Sequence, residues 1–195
     1  GGGGGGWART MPSRRIRKSQ PRCVSDEERY RLWCVAEMKF KEPKVNMMVL
    51  LKTSAAYAES CRASVLASLW VEIIHEVCTT AFSYMASMAG LHCDFANTRR
   101  GLEIHISGYS DKVATLLQRI LKAVREMPDQ LTQTQFDRIR DKLEYQFKSF
   151  LVAQPYQHAV YMADLCLEVP KWDIHVRLAS LLDDITKEDL VYFAK

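Results

Sequence analysis

The sequence predicts an α+β fold in which helices pack on one face of a mostly antiparallel sheet. Three observations lead to this prediction: a hairpin pattern within residues 91–112, a long apolar helix before it, and several amphipathic stretches after it. The chain has 195 residues, of which 48% are hydrophobic, and is therefore long enough to bury the core of one domain.

Composition divides the chain into three segments. Residues 1–25 combine a glycine run with Arg, Lys, Ser and Pro, which predicts a disordered arm. Residues 26–44 are expected to form a linker and the strand that leads into the domain, and residues 45–195 the domain itself. Residues 1–22 hold six of the 27 basic residues and none of the 23 acidic ones, so the net charge of +4 arises from the arm.

The first strand of the domain is predicted at Val45–Lys52, a continuous apolar run of strand length. Such runs are typical of central strands covered on both faces. A long helix is then expected from Ala58 to Ala89, with Gly90 as the left-handed residue after its end. Its apolar stripe recurs every three or four residues and comprises Leu66, Leu69, Trp70, Ile73, Ile74, Val77, Ala81, Tyr84, Met85 and Met88.

A β-hairpin is predicted next, with strands at 91–98 and 102–107 joined by a turn at 99–101. Gly101 can supply the positive φ that such a turn requires. Alternation along the second strand predicts a buried face of Leu102, Ile104 and Ile106. The opposite, polar face carries Glu103, His105 and Ser107. Gly108 is expected to end the strand and Ser110 to cap the helix that follows.

Helical periodicity predicts the remaining elements. One helix is expected to stop at Pro128, and the next to bury Phe136, Ile139, Leu143, Phe147, Phe150 and Leu151. The other side of that second helix is interpreted as a solvated face with i,i+4 pairs among Asp137, Arg138, Arg140, Asp141, Lys142 and Glu144.

A helix from Pro155 to about Glu168 and two short ones near 173–183 and 186–195 complete the chain. Thr186 and Asp189 resemble a capping box at the start of the last helix. Because the chain ends inside a helical pattern and has three clear strands, we expect its C-terminus to be truncated.

No catalytic or metal-binding motif is found in the sequence. His75-Glu76 begins an H-E-x-x-H motif, but Thr79 occupies the position of the second histidine, and the inverted H-x-x-E-H motif is also absent. His92 and His105 could face each other across the hairpin, yet two ligands do not complete a zinc site. We therefore predict no catalytic residue, no metal ligand and no cofactor in this chain.

Cysteine usage favours a reducing compartment. Six scattered cysteines without a C-x-x-C pair are not a disulfide framework, which predicts a cytoplasmic protein. No apolar run approaches the roughly 18 to 20 residues that cross a bilayer. The Arg-rich, acid-poor segment beginning at Met11 leaves an organelle-targeting peptide open as the alternative.

Three segments in register resemble insulinase-like metallopeptidases, the pitrilysin or inverzincin family. Residues 91–112 (LHCDFANTRRGLEIHISGYSDK) resemble the family's hairpin, in which alternating apolar residues precede Gly-Tyr-Ser-Asp-Lys. Residues 153–159 (AQPYQHA) and 181–186 (LLDDIT) resemble segments of the family's third, or middle, domain. Leu32-Trp33 and residues 45–57 match that domain's first strand and the turn into its long helix. The resemblance covers about residues 30–195 and excludes the arm.

The resemblance implies a noncatalytic domain of an insulysin-type zinc metalloendopeptidase. Members have four homologous α+β domains in two bowl-like halves, with zinc held in the first domain and the third domain lining the closed chamber. It implies that this chain encloses peptides together with the N-terminal catalytic half of the same enzyme, and contributes to domain contacts or a homodimer. Glu103 and His105 are then candidates for contact with the peptide substrate.

A second interpretation is a stand-alone interaction module. Its basic arm would bind nucleic acid or acidic surfaces, because clustered cations attract phosphate. A solvated tail explains the same charges without any partner. Only the module requires salt-sensitive binding that depends on residues 1–25, which separates it from the chamber-wall interpretation.

Overall fold

A computed structural model of the chain describes residues 20–36, 40–52, 60–98, 100–167, 171–183 and 185–194. Contacts divide the chain into two units, Gly1–Glu42 and Pro43–Lys195. Ala58, at which the long helix was predicted to start, and the turn residue Arg99 lie outside the described residues. So does Met11, at which a targeting peptide was predicted to begin.

The described part of the first unit contains an antiparallel hairpin of β1 (Arg22–Asp26) and β2 (Arg31–Cys34). The Arg31 guanidinium donates to the Asp26 carboxylate over 2.8 Å beside the turn. The boundary predicted for the arm therefore needs correction, because residues 22–25 belong to β1 rather than to a structureless segment. Backbone pairing with β2 orders these polar residues, which composition alone does not reveal.

The second unit contains a three-stranded sheet and a series of helices. Its strands are β3 (Lys44–Lys52), β4 (His92–Thr98) and β5 (Gly101–Tyr109). The long helical segment comprises α1 (Cys61–Cys78), a π turn (Thr79–Ser83) and α2 (Tyr84–Met88). The helices after the hairpin are α3 (Ser110–Gln130), α4 (Gln133–Leu151), α5 (Pro155–Leu167), α6 (Ile174–Leu182) and α7 (Lys187–Ala194).

The sheet is antiparallel with the order β3-β5-β4, which confirms the predicted α+β fold. The interpretation of β3 as a central strand is wrong. The central strand is β5, with β3 on one side of it and β4 on the other. Lys44, Asn46, Met48 and Lys52 of β3 are exposed, Met48 by 63%. Helices cover a single face, so an apolar run here is only half-buried.

The predicted buried face of the hairpin is confirmed. Leu102, Ile104 and Ile106 are 5%, 0% and 1% exposed. They face the core with the alternate residues of β3, Val45, Met47, Val49 and Leu51. Gly101 has the expected positive φ, 133°, at the end of the turn.

Two predictions at the end of the hairpin are wrong. Gly108 does not end β5; it lies inside the strand with φ 140° and pairs with Val45. Ser110 is the first residue of α3 rather than its cap, and Tyr109 in the N-cap position makes no side-chain cap bond. The backbone of Ser110 instead donates to the Pro43 carbonyl, so a contact with the chain preceding β3 holds this helix start.

The long helix starts as a capped α-helix, since the Ser60 hydroxyl accepts a bond from the Ala63 amide. The single helix predicted to Ala89 is wrong beyond Cys78, where five residues adopt π geometry. In a π turn each backbone hydrogen bond spans one residue more than in an α-helix. The apolar stripe after the turn is therefore rotated by about 100° around the helix axis. Ala86 consequently faces the core, whereas the predicted stripe residues Tyr84, Met85 and Met88 are 76%, 70% and 74% exposed.

The segment Cys61–Phe82 is long and apolar enough by length and composition to cross a bilayer, with a mean hydropathy of 1.4. Its inward side supplies core residues such as Val65, Leu69 and Ile73, which are 2% exposed or less. The helix packs against β4 and against several helices of the same unit. Burial within the domain therefore accounts for part of its apolar composition, since 39% of its most apolar window is buried.

The helix predicted to stop at Pro128 continues to Gln130, and Pro128 is buried within its last turn. At that place proline removes a single backbone hydrogen bond, and the Leu131 amide still bonds to the Met127 carbonyl.

The core side of α4 is confirmed for Phe136, Ile139, Leu143 and Phe147, whereas Phe150 and Leu151 are half-buried. The purely solvated interpretation of its charged side is wrong. Lys142 and Arg138 reach across to Glu72 and Glu76 of α1. Lys148 and Glu144 form the expected type of i,i+4 pair.

The starts of α5 and α7 agree with the sequence, whereas the predicted end of α5 at about Glu168 lies outside the described residues. Pro155 is the first residue of α5. At the start of α7 the Thr186 hydroxyl accepts from the Asp189 amide over 3.2 Å, and the Thr186 amide donates to the Asp189 carboxylate over 2.9 Å, which confirms the capping box.

Candidate functional site

The face of the sheet turned away from the core is the candidate site, and we call it the open face. Antiparallel pairing places directly opposed residues on the same side of a sheet. The open face therefore consists of Asn46, Met48 and Leu50 on β3, His92, Asp94 and Ala96 on β4, and Glu103, His105 and Ser107 on β5.

The two predicted contact residues lie together at the centre of this face. The His105 Nε2 atom stands 3.4 Å from a Glu103 carboxylate oxygen, two residues away along the strand. The Glu103 side chain is only 13% exposed, whereas that of His105 is 41% exposed. Arg100 Nη2 stands 3.8 Å from the other Glu103 oxygen. Glu103 is thus a largely covered carboxylate between a cation and an imidazole.

The neighbours of this pair differ from the sequence-based expectation. Thr98 pairs with Gly101, so the register puts Asp94 opposite His105 and His92 opposite Ser107. His92 and His105 therefore do not face each other directly. The missed neighbour, Asp94, could have been found by counting back from a turn of two residues rather than three.

The open face can bind polar or cationic groups. Glu103 and Asp94 offer carboxylate oxygens, and His105 offers an imidazole that can donate or accept a hydrogen bond. Met48, directly opposite His105 on β3, adds an exposed apolar surface. An extended peptide presents backbone amides, charged groups and apolar side chains, which are suited to these polar and apolar contacts.

The residues that could bind a metal lie apart in the described part of the chain. Within that part, no group of three His, Cys, Asp or Glu side chains comes close enough to hold a metal ion. All six cysteines are free, and Cys78 is buried in the core. His75 packs edge-on to Phe95 with ring centroids 6.3 Å apart. The residues described here thus do not fit a zinc site, which needs three or four ligands.

Comparison with known proteins gives similarity along most of the chain. Residues 10–180 match the family model described as the middle or third domain of peptidase M16. The match begins inside the predicted arm, farther towards the N-terminus than the resemblance noted from the residues. Human insulin-degrading enzyme is 26% identical over 183 residues, which is 94% of this chain and 18% of that protein.

Two further comparisons agree. The putative zinc protease mug138 of Schizosaccharomyces pombe is 25% identical over 89% of this chain and 17% of its own length. The crystal structure of pitrilysin superimposes with a TM-score of 0.79 and 20% identity, over 89% of this chain and 18% of that one. The chain thus spans less than a fifth of these proteins. Because the family model covers most of it, the chain belongs to the insulinase-like M16 peptidase family, as its middle or third domain.

Proposed function

We propose that this domain is a noncatalytic wall of the chamber in which a longer, insulysin-type zinc metalloendopeptidase encloses its peptide substrates. The observation that carries the proposal is the match of residues 10–180 to the middle or third domain of the M16 family. The chain matches less than a fifth of each relative, which supports a role as one part of a larger enzyme.

The open face supplies the contacts that such a wall needs. Its centre holds the largely covered Glu103 carboxylate with His105 and Asp94 beside it, and Met48 is exposed on the adjacent strand. A carboxylate covered on most sides is less screened by water than an exposed one, so it attracts cationic groups of a bound peptide more strongly. Glu103 and His105 therefore contact the enclosed peptide, and substrate selection follows charge and length.

In this proposal another part of the parent enzyme catalyses peptide hydrolysis. The parent's first domain holds zinc, which supplies a Lewis acid and an activated water for peptide hydrolysis. The described residues of this chain bind and orient substrate, and they contribute contacts to neighbouring domains or to a second copy of the enzyme. The six free cysteines support a reducing, cytoplasmic setting.

The first experiment uses the 195-residue chain. After equilibration with zinc and dialysis, we expect less than about one-tenth of an equivalent of bound metal and no cleavage of peptides, because three or four ligands are needed to hold zinc. Elemental analysis and a fluorogenic peptide assay provide the measurements. One equivalent of zinc, or cleavage by the purified chain, would overturn the proposal.

The second experiment uses the complete parent enzyme with the double substitution Glu103→Ala/His105→Ala. We expect KM for a long basic peptide to rise several-fold, with kcat and zinc content unchanged, because contacts are lost far from the bond that breaks. The matched control is Glu188→Ala/His175→Ala, which removes an exposed carboxylate and an exposed imidazole from α7 and α6. Equal KM values in both variants would exclude the open face as a substrate contact.

A further inference from the structure

A cavity of about 190 Å³ lies where the π turn and α2 pass over the start of β4 and the side of α3. Its floor is formed by core residues, among them Leu91, Leu116 and Ile120, which are 7% exposed or less. The rings of Phe82 and Phe95 line its sides. The cavity is separate from the Glu103–His105 pair of the open face, neither of which lines it.

Small side chains leave this space unfilled. Cys78 and Ala86 line the cavity from the two sides of the π turn, and Cys93 lines it from β4. Leu or Phe at any of these positions would occupy part of the volume. Protein interiors are close-packed, so an unfilled space of this size beside the core is unusual. The π turn contributes, because it sets the helix segments before and after it out of phase.

The lining selects for an uncharged ligand. No Asp, Glu, Lys or Arg lines the cavity among the described residues. Burial raises the pKa of the Cys78 thiol to about 11 and, with a smaller effect of Cys78 and Asp94, that of Cys93 to about 12. Both thiols are therefore protonated and neutral near pH 7. A charged ligand group would lose its hydration here without gaining a partner of opposite charge.

Shape and chemistry together favour an aromatic ring. A cavity of about 150 Å³ lined by Leu, Ile and Phe suffices for benzene in an engineered protein. The additional volume here accommodates one small substituent. Phe82 and Phe95 can stack on a ring or meet its edge, and the polarisable sulfurs of Cys78 and Cys93 make favourable contacts with ring edges.

The rim supplies a direction for the substituent. Among the lining residues, Thr79 and Ser87 carry hydroxyl groups and are exposed. Each of these two hydroxyls can donate or accept a hydrogen bond. We propose that this cavity is a binding site for a single neutral aromatic ring whose one hydrogen-bonding substituent points to Thr79 and Ser87.

The first test uses p-cresol as the ring and the 195-residue chain as the protein. Ligand-observed NMR should show saturation transfer to p-cresol in the unsubstituted chain. Cys93→Leu, which fills the cavity, should weaken binding at least tenfold. The matched control is Cys166→Leu on the exposed side of α5, which should leave binding unchanged. Absence of transfer, or equal binding by Cys93→Leu in its folded form, would overturn the proposal.

A second measurement needs no substituted protein. The neutral reagent methyl methanethiosulfonate labels free thiols, and peptide mass spectrometry assigns the labelled positions. We expect p-cresol to slow labelling of Cys78 and Cys93 several-fold, and to leave the exposed Cys23 and Cys34 unaffected. Equal rates with and without p-cresol at Cys78 and Cys93 would place the ring elsewhere and refute the site.

The ring can come from a free small molecule or from a tyrosine side chain of a peptide. N-acetyl-tyrosinamide distinguishes these sources, because it carries the p-cresol ring on a peptide backbone. Binding as tight as that of p-cresol would support the site with a peptide as its source. Binding at least tenfold weaker, with p-cresol still bound, would support it with a free aromatic molecule as its source.

Discussion

Gly108 in β5 packs directly against the carbonyl oxygen of Gly90, where the hairpin passes the end of the helical segment before it. A Cβ atom at Gly108 would overlap that oxygen and stand 2.9 Å from the Leu91 Cα atom. Gly108 also has φ 140°, which side-chain-bearing residues rarely adopt. This contact requires glycine on steric and conformational grounds.

Gly108→Ala should therefore lower the free energy of unfolding by roughly 2–4 kcal/mol, because backbone strain and overpacking act together. Urea denaturation followed by circular dichroism measures the loss. Ser107→Ala, one residue away on the open face, is the control and should change stability by less than about 0.5 kcal/mol. A Gly108→Ala protein as stable as the control would contradict the close approach to Gly90.

The ion pair between Lys142 and Glu72 should couple α4 to α1 weakly but measurably. The Lys142 Nζ atom lies 2.7 Å from one Glu72 oxygen, and the Gln146 amide donates to the other over 3.3 Å. The side chains are 47% and 24% exposed, so solvent screens the attraction. A double-mutant cycle with Glu72→Ala and Lys142→Ala should give a coupling of about 0.3–1 kcal/mol that falls with added salt.

The exposed i,i+4 pair of Lys122 and Glu126 offers a comparison within one helix, with a separation of 3.7 Å. Its coupling should be about 0.3 kcal/mol. A coupling between Glu72 and Lys142 that is absent, or that does not fall with added salt, would contradict the prediction.

Stability should fall at high pH because the thiols of the buried Cys78 and the half-buried Cys93 both have raised pKa values. The unfolded chain releases a thiol proton near pH 9.0, whereas burial raises the pKa in the folded protein to about 11 for Cys78 and about 12 for Cys93. The folded state therefore binds more protons between these values, and its advantage is lost as pH rises. The loss should be on the order of 1 kcal/mol per pH unit for each thiol between pH 9 and 11.

Urea denaturation at a series of pH values checks this expectation. Cys78→Ala/Cys93→Ala should show a shallower decline above pH 9 than the unsubstituted chain, whatever its stability at pH 7. Substitution of the exposed Cys23 by Ser should leave the slope unchanged. Parallel curves for all three proteins would contradict the raised pKa values of the two thiols.

The capping box at the start of α4 should be worth about 1 kcal/mol. The Thr132 hydroxyl accepts from the Gln135 amide, and the Gln135 side chain accepts from the Thr132 amide, each over 3.2 Å. Thr132→Ala removes the first bond, and thermal unfolding should report the loss. Thr134→Ala, in the exposed first turn, removes a similar hydroxyl without a cap and should have little effect.

Patterns with a fixed period were predictable from the sequence. The alternation of Leu102, Ile104 and Ile106 indicates the buried side of β5, because a strand repeats every two residues. The same alternation puts Glu103 and His105 on the opposite side. Their neighbour Asp94 depends on hairpin register, and a shift of one residue in the assumed turn changes that partner.

Other features depend on contacts that no local pattern reveals. The π turn occurs in Thr79–Ser83, which contains neither glycine nor proline, so the sequence carries no sign of it. It alone explains why Met85 and Met88 are exposed although their spacing predicts burial. The cavity depends on the same turn, together with Cys93 from β4, and was likewise not foreseen.

The order β3-β5-β4 also has a consequence for the route by which the domain folds. β4 can pair with β5 across a tight turn, from Thr98 to Gly101, whereas the Lys52 end of β3 must close the whole long helical segment to reach Gly101. Closing the shorter loop costs less chain entropy, so we expect the hairpin to form first and β3 to pair with it afterwards. A ribosome releasing this chain would thus expose an unpaired apolar strand until its acceptor has been synthesised.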